Sequence, residues 1–154
     1  MSELLSVKNL CVDFNTPEGV VRAVNDISFN VPQGKTIGLV GESGSGKSVS
    51  ALAVMGLIPN PPGIISGGEI LFEGTDLVKS SEDYMRKVRG NDIAMIFQEP
   101  MTSLNPVFRV GDQISEVLIL HMGMNSKQAW EKSVDLLNQV GIPDPKRSAL
   151  KYPH

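Results

Sequence analysis

The sequence has little of what disulfide-stabilised, metal-binding and membrane-spanning proteins depend on. Its 154 residues include one cysteine, Cys11, and two histidines, His121 and His154. A single cysteine excludes an intramolecular disulfide and any multi-cysteine metal site, and two distant histidines do not supply a zinc ligand set. No apolar run approaches the roughly 20 residues that cross a membrane, and the N-terminus lacks the features of a signal peptide. We therefore expect a soluble, cytosolic globular protein.

Positive charge is also in short supply. Lysine and arginine together number 14 against 17 acidic residues, which gives a formal net charge of −3. Nucleic-acid binders depend on a basic surface, so we expect no nucleic-acid partner.

The length suits one domain with a real core and is too short for two ordinary domains. Glycine and proline are plentiful, at 15 and 10 residues, and they punctuate the chain in clusters.

The spacing of apolar residues predicts strands that alternate with helices. The predicted strands cover residues 7–14, 20–31, 35–40, 69–73 and 93–97. The predicted helices cover residues 47–57, 81–89, 110–122 and 127–140, the last with Ser126 as its N-cap. Residues 35–40 and 93–97 are short and largely apolar, which is typical of buried parallel strands. This order predicts an α/β fold with a peripheral β-subdomain and the beginning of a helical subdomain.

A glycine-rich segment lies between the strand at 35–40 and the helix that follows. Its residues match the phosphate-binding pattern G-x-x-x-x-G-K-[ST]: Gly41, Glu42, Ser43, Gly44, Ser45, Gly46, Lys47 and Ser48, with Val49 next in the helix. Glycines allow consecutive backbone N–H groups to surround a phosphate, and the helix N-terminus adds a favourable dipole. In such loops the lysine contacts the β- and γ-phosphates and the serine hydroxyl binds Mg²⁺. The pattern indicates a nucleoside triphosphate but does not select the base.

The sequence around Gln98 makes the family recognisable. Residues 97–106, Phe-Gln-Glu-Pro-Met-Thr-Ser-Leu-Asn-Pro, resemble the Q-loop of ABC-transporter ATPases, in particular those that drive import of oligopeptides, dipeptides and nickel. Residues 40–48, 68–77 and 152–154 resemble the same group. The resemblance implies a P-loop NTPase core at 35–58 and 91–98, an antiparallel β-subdomain at 1–34 and 64–76, and the start of the helical subdomain at 103–154.

The resemblance also implies roles for individual residues. Lys47 and Gln98 would be catalytic, and Ser48 and Gln98 would bind Mg²⁺. Phe14 matches the aromatic position that stacks on adenine, which a flat ring does without reading the edges of the base. The alternative for Phe14 is core packing beside Leu10 and Val12.

By resemblance, the chain is the N-terminal part of an importer's ATP-binding subunit at the cytoplasmic face of the cell membrane. Its partners would be transmembrane permease subunits, a second ABC ATPase subunit and, indirectly, an extracytoplasmic substrate-binding protein. Residues 1–154 lack the family's signature, its Walker B carboxylates and its switch histidine. Residues 65–69, Ile-Ser-Gly-Gly-Glu, resemble the signature but precede the Q-loop, so we interpret them as a hairpin turn. The resemblance further implies that later strands lie beside residues 35–40.

Two other functions remain open at this point. The chain could be a non-catalytic, truncated fragment that binds a nucleotide or a partner, and we expect that this chain alone binds ATP without hydrolysing it and folds poorly. It could also belong to a soluble ABC ATPase of DNA repair. Such proteins have a long insertion or coiled coil after the Q-loop, whereas the helices predicted here at 110–122 and 127–140 are short.

Overall fold

A computed structural model describes residues 3–98 and 103–154. The chain divides into two compact units, Met1–Arg86 and Lys87–His154. The first unit contains an antiparallel sheet and a helix that follows the glycine-rich loop. The second unit is built from helices, and the strand and helix content agrees with the predicted α/β class.

The sheet of the first unit has four strands in the order β2-β1-β3-β4. These strands are β1 (Glu3–Thr16), β2 (Gly19–Pro32), β3 (Gly63–Phe72) and β4 (Thr75–Asp76). Strands β1 and β2 form a hairpin in which Thr16 pairs with Gly19, as the Pro-Glu turn between them predicts. The central strand β1 carries the core, because the side chains of Val7, Leu10 and Val12 are fully buried.

An ion pair ties β1 to β2 near the hairpin end. Asp13 and Arg22 are direct cross-strand partners. The guanidinium donates from Nε to Asp13 Oδ1 at 2.8 Å and from Nη2 to Oδ2 at 3.1 Å. These bonds, and a further one from Ser66 on β3, hold the pKa of the Asp13 carboxyl below its ordinary value. Asp13 thus joins three neighbouring strands.

Short helical elements complete the first unit. Helix α1 (Lys47–Val54) follows the glycine-rich loop and ends before the predicted residue 57, because Gly56 adopts a left-handed φ of 61°. A 3-10 turn (Leu77–Lys79) leads from β4 into helix α2 (Glu82–Val88), which crosses the boundary between the units.

Three helices make up most of the second unit: α3 (Val110–Met122), α4 (Ser126–Gln139) and α5 (Pro145–Ala149). Helices α3 and α4 pack closely, since a Cβ placed on Gly111 would lie 2.4 Å from the Trp130 ring. The N-cap of α4 is Asn125 and not the predicted Ser126. Its side chain accepts from the Gln128 N–H, and Gln128 reciprocates in a capping box.

Two predicted strands are wrong in this structure. Residues 35–40 and 93–97 form no strand, and the second contributes only an isolated bridge between Arg89 and Ile93. Val40 is 90% exposed and Ile96 is 99% exposed. The reason is that a strand needs neighbouring N–H and C=O groups, and no ladder within residues 3–98 and 103–154 includes either segment.

The predicted hairpin turn at residues 65–69 is also wrong. These residues lie inside β3, which begins earlier than the predicted strand at 69–73. Their pairing with β1 shifts register between Lys8 and Cys11, because Asn9 and Leu10 of β1 lie opposite the single residue Gly68, which places a bulge in β1. Gly68 has a φ of 89°, and a Cβ there would lie 2.5 Å from the carbonyl oxygens of Lys8 and Asn9.

Candidate functional site

The last glycine of the glycine-rich loop lies close against the sheet. Gly46 immediately precedes α1 and has a left-handed φ of 87°. A Cβ at this position would lie 2.5 Å from the backbone carbonyl oxygen of Ala23 in β2. Inside α1, the backbone N–H and the hydroxyl of Ser50 both donate to the Gly46 carbonyl at 2.8 Å. Both the conformation and the close approach therefore require glycine at position 46.

The side chain of Lys47 folds back over the loop that precedes it. Its Nζ donates to the carbonyl oxygens of Gly41 and Glu42, each at 2.7 Å, and to Ser45 Oγ at 3.3 Å. A Cβ on Gly41 would lie 2.5 Å from that same Ser45 hydroxyl. The ammonium group is therefore held at a defined point above the loop by groups of the loop itself.

The donors gathered here fit a phosphate group and its counter-cation. The first N–H groups of α1 have no partner within the helix, and the first turn contains no acidic residue. An ammonium group lies beside them, and Ser48, exposed in the first helical turn, contributes a hydroxyl oxygen. Backbone N–H groups and a lysine attract the phosphate oxygens, and a serine hydroxyl is an ordinary Mg²⁺ ligand in this setting.

An open pocket of about 420 Å³ includes part of the loop in its walls, namely Gly41, Ser45 and Lys47. The rest of its lining is mostly apolar and includes Phe29 of β2 and Val40. Apolar walls do not suit a highly charged phosphate. We therefore assign the candidate phosphate site to the loop side of this pocket and the N-terminus of α1.

Phe14 lies near the end of β1, in the first unit. It is half-buried and pairs with Val21 on β2 and Gly63 on β3. The ring packs over Gly63, since a Cβ on that glycine would lie 2.8 Å from Phe14 Cε1. Packing therefore accounts for one side of the ring, and stacking on adenine stays a prediction.

Gln98 lies in the second unit, in the irregular stretch that follows residues 93–97, and its side chain is exposed. Residues 99–102 of the predicted Q-loop lie outside the described residues. The role of Gln98 toward Mg²⁺ and water remains a prediction. Among residues 3–98 and 103–154, no cluster of three or more His, Cys, Asp or Glu side chains could hold a metal ion.

A family model described as ABC transporter matches residues 24–154. The chain belongs to the ABC transporter family. It is 51% identical to the oligopeptide transport ATP-binding protein OppD of Bacillus subtilis (strain 168) over 100% of this chain and 43% of that protein. It is 47% identical to the dipeptide transport ATP-binding protein DppD of the same organism, again over the whole chain and 46% of the relative. The chain thus spans less than half the length of these relatives.

Solved structures show the same fold. The ATP-binding cassette MJ0796, in a dimeric post-hydrolysis state bound to ADP and Pi, superimposes with a TM-score of 0.81. The alignment covers 97% of this ABC chain and 61% of the cassette at 22% sequence identity. This likeness confirms the predicted fold class. In the described part of the chain, no helix combines the length and apolar character that a membrane crossing needs.

Sequence reasoning missed two parts of this site. The first is the Ala23 carbonyl oxygen, which leaves no room for a side chain at position 46. Because it is a backbone atom, the residue type at position 23 gives no sign of it. The second is the Ser45 hydroxyl, which fills the space above Gly41 and receives the third hydrogen bond of Lys47. The loop pattern leaves position 45 unspecified, so only the folded loop reveals this contact.

Proposed function

We propose that this chain forms the ATP-binding portion of an importer subunit that couples ATP binding and hydrolysis to uptake of peptides. The observation that carries the proposal is the Lys47 ammonium held over a glycine-rich loop at the start of α1. The names of the relatives support peptides as cargo, since both act in peptide transport. Nickel is the other cargo within the group that the sequence resembles.

In this proposal residues 41–49 hold the phosphates of ATP. Their backbone N–H groups surround the phosphate oxygens, and Lys47 neutralises charge on the β- and γ-phosphates. Ser48 and Gln98 would bind Mg²⁺, which supplies positive charge to the phosphates when bound. Lys47 and Gln98 are the proposed catalytic residues of the complete enzyme, and Phe14 would stack on the adenine ring.

The proposed partners follow from the family. Transmembrane permease subunits would bind this protein at the cytoplasmic face of the membrane, and a substrate-binding protein would deliver cargo on the other side. A second ABC ATPase subunit would complete the site, and the dimeric state of the cassette MJ0796 supports this arrangement. We further propose that residues 1–154 alone bind ATP without hydrolysing it, because hydrolysis also requires an oriented water and carboxylates that belong to the longer relatives.

ATP binding is tested by titration of the purified protein with ATP·Mg²⁺. We expect Lys47→Ala to weaken binding by about 1.5–3 kcal/mol, since it removes charge-assisted hydrogen bonds. Lys35→Ala is the matched control, because Lys35 is an exposed lysine in the same unit that lies before the loop. Equal affinity of the two variants would refute the assignment of the site.

The transport role requires a separate measurement. Uptake of labelled oligopeptide by cells that produce the whole transporter should stop with Lys47→Ala and continue with Lys35→Ala. If Lys47→Ala abolishes uptake of nickel but not of peptide, the cargo is nickel and not peptides. Unchanged uptake of both, together with increased sensitivity to DNA damage, would favour the soluble ATPase instead.

A further inference from the structure

Gly63 is the residue on which the Phe14 ring rests. It opens β3 directly opposite Phe14 and is buried although it has no side chain of its own. A Cβ at this position would lie 2.8 Å and 3.1 Å from Cε1 and Cδ1 of the ring. Ring and Cβ cannot both occupy this space, because non-bonded carbon atoms pack at about 3.5–4.0 Å.

The backbone around Gly63 is held in place and cannot easily move away from the ring. The Gly63 N–H donates to the Pro59 carbonyl at 2.7 Å, and the Asn15 N–H donates to the Pro62 carbonyl at 2.9 Å. On the other side, the Cγ2 of Ile58 would lie 2.6 Å from the added Cβ. A side chain at position 63 would therefore displace the Phe14 ring or the Ile58 side chain.

We infer that Gly63 is a positioning residue for nucleotide binding, because its missing side chain sets the place of the Phe14 ring. This inference rests on the proposed stacking of Phe14 on adenine. A stacked pair depends on the offset and separation of the two ring faces. A ring displaced by several tenths of an ångström presents the base with a different surface, while the phosphate loop is unchanged.

The same strand provides a matched control. Gly67 lies opposite Cys11, and a Cβ placed there would lie 3.6 Å from Cys11 Cβ, an ordinary contact. Glycine-to-alanine changes at 63 and 67 restrict the unfolded chain equally. The two variants therefore differ mainly in what the new methyl group meets in the folded protein.

The experiment measures affinity for ATP·Mg²⁺ and for tripolyphosphate·Mg²⁺, which has the phosphates but no adenine. We expect Gly63→Ala to weaken ATP binding about fivefold to twentyfold, as a partial loss of stacking, with tripolyphosphate binding unchanged. Gly67→Ala should alter neither affinity. In a Phe14→Ala background, Gly63→Ala should have no further effect on ATP affinity, since the residue acts through the ring.

Each other outcome overturns the inference. Unchanged ATP affinity in Gly63→Ala would mean that the ring position does not matter. An equal loss of tripolyphosphate affinity would indicate general damage to the fold. Additive effects of the two changes would show that Gly63 does not act through Phe14. If the unmutated protein binds neither ATP·Mg²⁺ nor tripolyphosphate·Mg²⁺, the proposed function is refuted as well.

Discussion

Two apolar stretches of the first unit, strand β1 and residues 35–40, lie in very different surroundings. In β1, Leu10 and Val12 are fully buried, and the strand pairs with neighbours on both sides. In the second stretch, Ile37, Leu39 and Val40 are 39%, 46% and 90% exposed. Both have the composition of a strand, so composition alone does not decide the outcome. A strand forms where neighbouring segments supply partners for its backbone groups.

We expect the largest effect from a substitution that tests whether the glycine-rich loop is as exposed as residues 35–40, which precede it. A Cβ on Gly46 would meet the Ala23 carbonyl oxygen of β2, whereas a Cβ on Gly44, which also has positive φ, meets open space. We expect Gly46→Ala to reduce the free energy of unfolding by about 2–4 kcal/mol, through left-handed strain and a backbone clash. Gly44→Ala should reduce it by about 1–2 kcal/mol, from strain alone.

Unfolding in denaturant measures both variants. Similar losses of stability at the two positions would show that Gly46 does not lie against β2 in solution. The loop would then be as exposed as residues 35–40.

A direct test of the comparison uses the same substitution at two valines. Val12→Ala removes a fully buried side chain and should cost about 1.5–3 kcal/mol of stability. Val40→Ala removes one that is 90% exposed and should change stability by no more than about 0.5 kcal/mol. Denaturant midpoints of the two variants give the result. A cost at Val40 that approaches the cost at Val12 would show that residues 35–40 are packed in solution.

The smallest effect concerns the N-terminus of helix α4, where two residues of the same turn form the cap. The Asn125 side chain accepts from the Gln128 N–H at 3.0 Å, and the Gln128 side chain accepts from the Asn125 N–H at 3.2 Å. We expect Asn125→Ala to cost about 1 kcal/mol. Ser126→Ala, one residue later, is the control and should have almost no effect. Thermal melting followed by circular dichroism checks both, and a larger loss for Ser126→Ala would restore the cap that the sequence predicted.

Local signals predicted well what depends on local chemistry. The hairpin between β1 and β2 follows from its turn residues, and α3 begins and ends at the residues that its pattern predicts, Val110 and Met122. The phosphate loop was predictable because its glycines, lysine and serine have fixed spacing. Features that depend on distant neighbours were not predictable. Position 68 requires glycine because carbonyl oxygens of β1 lie beside it, and position 46 requires glycine because a carbonyl oxygen of β2 lies beside it. The apolar pattern at residues 35–40 could not show whether partners lie beside it.

The hydrogen bonds of Lys47 have a consequence for the entropy of binding. A lysine side chain that becomes ordered loses up to about 2 kcal/mol of rotamer freedom. Here the ammonium already donates to the Gly41 and Glu42 carbonyls, so folding has restricted the chain before any phosphate arrives. Little of an anion's interaction energy is therefore spent on ordering the lysine. The three ammonium N–H groups already have partners in the loop, so a phosphate must replace at least one of these hydrogen bonds.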